Sequence, residues 1–325
     1  MELRIRHTRI RQVMDELSCL IYPGSQESIL MVCGPTGVGK STLAKHLVTD
    51  ANRQSQAQME EDAGIIPAVY IEAPASGEEN FSWRLFYSRV LAQLESDVNL
   101  PKYHFTIDPD SGRMVSSSNP RDRTLAALRT AVERALLHRK TRFLVIDEAA
   151  HIIRQARRNR MEVQLDTLKS LANQAGVQIV LVGSYDLFQL MSLSAQLARR
   201  THVLHMERYR QDNVDDERAF NACVQKFQEA GAKLWGNKVM PYAKALQENT
   251  MGCVGTLCSV LSRAANLAEK NGEWTEDCLR RALLTDVQRN RILEEILDGE
   301  MAINPGLTRQ IWASTDSSKA QRKAA

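Results

Sequence analysis

Short apolar runs alternate with helix-like segments along the first 210 residues. Four runs are continuous, as expected of parallel strands covered on both faces, and they span 28–33, 68–72, 143–146 and 179–182. Segments whose apolar positions recur at helical spacing predict helices, and they span 9–21, 42–48, 81–94, 121–138 and 161–174. This alternation predicts an α/β fold with a mostly parallel sheet sandwiched by helices.

The rest of the chain divides into connections, helices and a tail. Residues 50–64 are polar and predict a connection, and the prolines and serine run of 99–120 predict a long surface excursion. Beyond residue 210 the pattern is typical of helices only. We therefore expect an α/β core over 1–210 with an N-terminal helix, a small C-terminal helical lid domain over 211–300 and a flexible tail over 301–325.

Composition narrows the class of protein without identifying a partner. The 325 residues are 43% hydrophobic and 25% charged, as in folded soluble proteins, and the net charge of +3 is too small to prove a polyanionic partner. The six cysteines form no Cys-x-x-Cys pair and are too sparse for a disulfide framework. No segment approaches the roughly 18 apolar residues of a membrane span. We expect a cytoplasmic protein without membrane contact.

A glycine-rich segment after the first predicted strand matches the P-loop pattern G-x-x-x-x-G-K-S. Its backbone amides can surround phosphates, and the helix after it presents its positive N-terminal end to the same anion. Lys40 can reach the outer phosphates, and the Ser41 hydroxyl can bind Mg²⁺. The predicted ATP-binding residues are Gly34, Pro35, Thr36, Gly37, Val38, Gly39, Lys40, Ser41 and Thr42.

Polar side chains follow two further predicted strands. Asp147 and Glu148 come after the run 143–146, and ligands of open α/β sheets bind at such strand ends. Asp147 is suited to hold Mg²⁺ through water, and Glu148 to orient or deprotonate the water that attacks the terminal phosphate. Ser184, after the run 179–182, either senses that water or only shapes a turn.

The order of these elements resembles AAA+ ATPases and, within that class, the TnsC/TniB group of DNA-transposition ATPases. The resemblance spans roughly residues 10–265, and its segments are 34–42, 144–151, 179–184 and 196–200, the last just before a predicted strand over 201–206. In this family an arginine before the fifth strand enters the neighbouring subunit's site, which implies a catalytic role in trans for Arg200, or else Arg199. The alternative is a surface arginine pair that completes a helix C-terminus.

The resemblance also implies partners and a regulatory role. The implied partners are duplex DNA bound without sequence preference, further copies in a ring or helical filament such as a hexamer or heptamer, a TniQ-type target-selection protein and a transposase. Many relatives carry a sensor arginine early in a lid helix, but Gly252–Leu257 contains none and Arg263 comes two turns later. We therefore expect slow ATP hydrolysis that acts as a timer.

Two basic segments are candidates for contacts with the DNA backbone. The first follows the catalytic carboxylates and contains Arg154, Arg157, Arg158 and Arg160. The second lies around the surface excursion, a region where the resemblance to the TnsC/TniB group implies backbone-binding residues, and contains Lys102, Arg113, Arg121 and Arg123. Clustered arginines suit phosphate contacts that do not read sequence. A solvated or intersubunit basic face is the alternative for the first segment.

Two other functions share parts of this pattern. A helicase-loading or replication-initiation ATPase has the same core, and it would be favoured by a lid arginine and a winged-helix domain. A small-molecule kinase would need a substrate-clamping lid with several arginines. Glu148 argues against the kinase, because hydrolysis requires a carboxylate that directs water at this position.

Overall fold

A computed structural model describes residues 5, 7–22, 28–75, 77, 80–95, 105–107, 114–116, 124–154, 161–192 and 201–303. Its strands are β1 (Ile29–Cys33), β2 (Ala68–Glu72), β3 (Phe105–Ile107), β4 (Met114–Ser116), β5 (Phe143–Asp147), β6 (Gln178–Gly183) and β7 (Thr201–His205). Five of them form one sheet in the order β2-β5-β6-β1-β7, and every neighbouring pair in it is parallel. The parallel sheet predicted from the apolar runs is confirmed.

Helices follow most of the strands and then occupy the C-terminal part. In the first part they are α1 (Thr8–Leu20), α2 (Lys40–Gln54), α3 (Gln56–Glu61), α4 (Trp83–Glu95), α5 (Leu125–His138), α6 (Ala150–Arg154) and α7 (Met161–Ala175), and a 3-10 helix spans Tyr185–Ser192. Beyond β7 they are α8 (Val214–Ala230), α9 (Ala232–Trp235), α10 (Ala243–Asn249), α11 (Val254–Asn271), α12 (Glu276–Ala282) and α13 (Asp286–Ile303), with a 3-10 turn at Met240–Tyr242. No described helix combines the length and apolar character needed to cross a bilayer.

The sheet separates two hydrophobic clusters because its strands are apolar on both faces. In β1, Ile29 and Met31 belong to the cluster on one side, and Leu30 and Val32 belong to the cluster on the other. This alternation follows from the two-residue period of a strand. It explains why the strand reads as a continuous apolar run, with all five of its residues buried.

The C-terminal helices have a core of their own and also return to the sheet. Phe220, Trp235 and Leu261 are among the buried residues of that separate core. Ile296 of α13 is instead buried in the same cluster as Leu30. The last described helix is therefore packed against the α/β part of the molecule.

Two segments are more regular than the sequence pattern indicates. The prediction of a polar connection over 50–64 is wrong, because α2 continues to Gln54 and α3 follows it at once. None of the residues of α3 is buried, so its sequence has no apolar stripe that would predict a helix, although its residue types are compatible with one. Within the predicted surface excursion over 99–120, β3 and β4 form an antiparallel pair. The helix predicted over 121–138 has described bounds of Leu125–His138.

Candidate functional site

The phosphate loop connects β1 to α2 in a backbone conformation that requires glycine. Gly37 and Gly39 have φ angles of 80° and 113°, in the left-handed region that side chains rarely adopt. Gly34 packs so closely against the end of β7 that an added Cβ would lie 2.4 Å from the carbonyl oxygen of Met206. The loop is therefore shaped by its own glycines and by the neighbouring strand. Ser41 and Thr42 lie in the first turn of α2.

Lys40 lies over this loop and is bonded to it. Its ammonium group donates hydrogen bonds to the carbonyl oxygens of Gly34 at 3.0 Å and Pro35 at 2.8 Å. Burial lowers the pKa of Lys40, and Glu148 and Asp147 are among the acidic groups that oppose this effect. The positive charge thus lies on the loop and interacts electrostatically with the carboxylates at the end of β5.

Asp147 is fixed at the end of β5 by hydrogen bonds to both of its carboxylate oxygens. Tyr70 of the adjacent strand β2 donates its phenolic hydrogen to Oδ2 at 2.9 Å, and the backbone N–H of Glu148 donates to Oδ1 at 2.9 Å. Burial, followed by the Asp147 charge, raises the pKa of Tyr70, so its hydroxyl remains a donor at neutral pH. Asp147 is buried, which leaves its carboxylate with one defined orientation.

Glu148 has the opposite environment from its neighbour. Its side chain is exposed, and its backbone adopts a φ angle of 50°, which is uncommon for a residue other than glycine. Such strain persists only where the surrounding structure enforces it, and it is frequent at functional sites. The turn directs adjacent carboxylates into different surroundings, one buried and one solvent-facing. That division suits an acid that supports a metal and an acid that handles water.

The sheet order brings the ends of β1, β5 and β6 to one edge. Cys33 at the end of β1 is the register partner of Gly183, and Ser184 follows directly. The Ser184 hydroxyl donates to Asp186 Oδ2 at 3.3 Å, a contact that is typical of turns. The structure thus places Ser184 at the same edge as the phosphate loop and the Asp147–Glu148 pair, and its predicted sensor role remains a prediction.

Two elements of the C-terminal helices contact the phosphate loop, and both are absent from the sequence-based prediction. At the start of α11 the backbone N–H of Thr256 donates to the Gly37 carbonyl oxygen at 3.0 Å. An added Cβ on Gly255 would lie 2.6 Å from that same oxygen, so this close approach depends on glycine. In α13, Glu295 accepts a hydrogen bond from Thr36 Oγ1 at 3.3 Å. The one sequence signal for these contacts is the pair of glycines in the segment 252–257, which contains no arginine.

The remaining predicted site residues lie outside the described structure. They are Arg199, Arg200, Lys102, Arg113, Arg121, Arg123, Arg157, Arg158 and Arg160. Arg154 is the last residue of α6, and its side chain is likewise outside the described part. Their predicted roles in trans catalysis and DNA contact stay predictions.

The residues at this edge fit a magnesium ion bound together with phosphate. Within the described ranges, no group of three or more His, Cys, Asp and Glu side chains could hold a metal by itself. Mg²⁺ commonly takes only one or two protein oxygens and completes its shell with phosphate and water. The Ser41 hydroxyl and the fixed Asp147 carboxylate supply that small donor set.

Comparisons with known proteins agree with the fold and the loop. The sequence model of a family described as AAA domain matches residues 24–191. The ADP form of the ORC2 protein of Aeropyrum pernix is similar in structure, with a TM-score of 0.55, 18% identity and coverage of 86% of this chain and 68% of that one. The ORC1 protein of Aeropyrum pernix in complex with DNA has a TM-score of 0.53, 15% identity and coverage of 86% and 65%.

A third solved structure, the Walker-type ATPase of Pyrococcus abyssi, has a TM-score of 0.50 at 11% identity, with coverage of 95% of this chain and 75% of that one. No curated protein sequence matches this chain. At these identities the structural similarities define the fold alone. The chain spans about two thirds of the length of the two ORC proteins.

Proposed function

Since this chain belongs to the AAA domain family, we propose that it is an ATP-driven switch that assembles on duplex DNA. One observation carries the nucleotide part of the proposal. The phosphate loop, the Lys40 ammonium group and the Asp147–Glu148 pair meet at one edge of the parallel sheet, where ligands of such sheets bind.

The chemistry assigned to each residue follows from its surroundings. The loop amides and Lys40 bind the phosphates, and Mg²⁺ held by Ser41 and Asp147 supplies positive charge to the phosphate oxygens when bound. Tyr70 keeps the Asp147 carboxylate in place through its hydrogen bond to Oδ2. Glu148 accepts the proton of the attacking water or orients that water, because its exposed carboxylate can reach solvent beside the loop.

Hydrolysis in this proposal depends on a second copy of the chain. Arg200, or else Arg199, reaches the neighbouring subunit's site and stabilises charge on the transferred phosphoryl group. ATP binding then favours assembly. Because the repeated contact is heterologous, the assembly is a closed ring or an open helical filament, depending on the rotation per subunit. Slow hydrolysis returns the assembly to single subunits.

DNA contact in this proposal comes from the basic segments that contain Arg154 and Arg121. Their arginines and lysine bind phosphates without reading sequence, so affinity falls steeply with salt. The DNA complex of the Aeropyrum pernix ORC1 protein, which has the same fold, supports DNA as the partner.

Two cellular roles fit this switch. Structural similarity to the two ORC proteins favours the first, a replication-initiation or helicase-loading role, over the second. The transposition role, in which the assembly links a TniQ-type target-selection protein to a transposase, rests on the motif segments that resemble the TnsC/TniB group. Both roles need the same ATP-dependent assembly on DNA, so that assembly is tested first.

The direct test mixes the purified full chain with duplex DNA, Mg²⁺ and a non-hydrolysable ATP analogue, and follows particle size by light scattering and electron microscopy. We expect regular oligomers on DNA that dissociate as salt rises. Glu148→Gln should bind ATP, hydrolyse it at least about 100-fold more slowly and remain assembled. A protein that stays monomeric and leaves DNA mobility unchanged with bound ATP would refute the assembly proposal. Reconstitution with a transposase and a TniQ-type protein, or with a replicative helicase, then separates the two roles.

A further inference from the structure

The last described helix, α13, is fixed beside the nucleotide site by three contacts. Ile296 is 1% exposed within the cluster under the sheet. Gly299 packs against the ring of Tyr185, so closely that an added Cβ would be 2.1 Å from ring atoms. Glu300 accepts two hydrogen bonds from the Arg208 guanidinium, at 2.8 and 3.2 Å. These contacts all follow residue 295, and before it Ile292 and Leu293 pack against the same cluster, so the helix presents the side chain of residue 295 from a defined position.

Glu295 points from this helix to the rim of the phosphate loop. Its carboxylate oxygen Oε1 accepts a hydrogen bond from Thr36 Oγ1 at 3.3 Å. The same loop holds the Lys40 ammonium group, which donates to the carbonyl oxygens of Gly34 and Pro35. Glu295 therefore adds a third carboxylate, from the C-terminal helix, to the surroundings of the phosphate loop.

This position is unfavourable for a polyanion. The loop surrounds phosphates, and a fixed negative charge at its rim repels them. MgATP carries one more negative charge than MgADP, and its additional phosphate is the outermost one. The repulsion should therefore be larger for ATP than for ADP. Both Thr36 and Glu295 are exposed, so solvent screens the charge and the effect is limited to a few-fold.

We propose that Glu295 sets the nucleotide preference of the single subunit by lowering its affinity for ATP more than its affinity for ADP. The proposal rests on the proposed nucleotide binding at the phosphate loop. In place of a lid arginine, which the segment 252–257 does not contain, this chain has the negative charge of Glu295 on α13 beside the loop. A single subunit would then hold ADP in preference, and ATP would require the further contacts of assembly.

The test compares Glu295→Gln with wild type in the full chain. The amide keeps an acceptor for Thr36 and removes the charge, so it separates electrostatics from helix anchoring. Glu294→Gln is the matched control, because Glu294 is on the same helix and pairs with Arg291 at 3.2 Å on the exposed side. Fluorescent MgATP and MgADP analogues are titrated at low protein concentration, first at low salt and then at about 0.5 M salt. At the higher salt concentration the Debye length is about 4 Å, so charge effects are screened.

We expect Glu295→Gln to raise ATP affinity about 3- to 10-fold, ADP affinity less, and both gains to shrink at high salt. Glu295→Ala should shift affinity in the same direction, and Glu294→Gln should match wild type. Equal affinities of wild type and Glu295→Gln for ATP at low salt would overturn the proposal, and so would a loss of affinity in the glutamine variant. Lys40→Ala identifies failure of the underlying function: if wild type and Lys40→Ala bind equally, the nucleotide site itself is misassigned.

Discussion

Replacing Gly255 with alanine tests whether the start of α11 must lie directly on the phosphate loop. The added methyl group would sit 2.6 Å from the Gly37 carbonyl oxygen, a separation that Cβ atoms do not reach. The obstacle is backbone, so it cannot rotate away. We expect α11 to move back from the loop and the hydrogen bond from the Thr256 N–H to Gly37 to break.

Two effects of opposite sign set the size of the change. Alanine is the better helix former and favours α11 by up to about 1 kcal/mol. Overpacking costs about 1–3 kcal/mol, and the lost hydrogen bond costs about 0.5–1.5 kcal/mol. The contact between lid and loop should therefore weaken by about 0.5–3.5 kcal/mol, and the middle of this range, about 2 kcal/mol, corresponds to roughly 30-fold lower ATP affinity if bound phosphate requires this loop geometry.

The assay is titration of the variant with a fluorescent ATP analogue, together with thermal unfolding. Asn266→Ala is the control, because Asn266 is exposed on the same helix about three turns further from the loop. We expect weaker ATP binding for Gly255→Ala and unchanged binding for the control. Wild-type ATP affinity combined with a raised Tm in Gly255→Ala would refute the reasoning, since it would show a helix gain without any clash.

Two further predictions concern single side chains. Tyr70→Phe removes the hydrogen bond to Asp147 Oδ2, which is worth about 1.5–3 kcal/mol for a charged acceptor, so Mg²⁺ titrations of ATPase activity should show a roughly 10- to 150-fold higher Mg²⁺ requirement; an unchanged requirement would exclude this positioning role. Burial, with smaller effects of Lys226 and Arg9, lowers the pKa of His7 from 6.5 to about 4, so its stabilising contribution is complete above pH 6.5 and is lost as pH falls towards 4. Unfolding measured at pH 7.5 and 5 should show a loss of about 2 kcal/mol, out of about 3 kcal/mol expected once the pH falls to 4, and a His7→Gln variant with the same pH dependence would contradict this cause.

The sequence is sufficient for the features that depend on neighbouring residues. The loop Gly34–Ser41 and the pair Asp147–Glu148 are recognisable because each motif lies in one short segment at the end of an apolar strand. Apolar runs also predict the central strands β1, β5 and β6, because these strands are buried along their whole length. The edge strand β7 has no such run, since its sequence contains one threonine and two histidines and only Leu204 is buried. The polar helix α3 was the exception, because nothing in its composition distinguishes an exposed helix from a connection.

Contacts between distant segments could not be predicted in this way. Tyr70 and Asp147 are 77 positions apart, and Thr36 and Glu295 are 259 apart. Their meeting depends on the strand order and on the return of α13 to the sheet. Gly255 illustrates the same difficulty, because a glycine in a helix gives no sign of the carbonyl oxygen that approaches it.

The most direct measurement of the central claim is the ATP affinity of Lys40→Ala relative to wild type, with Mg²⁺ and with thermal unfolding as a check of folding. The Lys40 ammonium group supplies the positive charge of the phosphate loop, so we expect a folded variant whose ATP affinity falls by at least about 100-fold, since charge-assisted hydrogen bonds contribute about 1.5–3 kcal/mol each. A folded Lys40→Ala protein that binds ATP as tightly as wild type would contradict the nucleotide site described here.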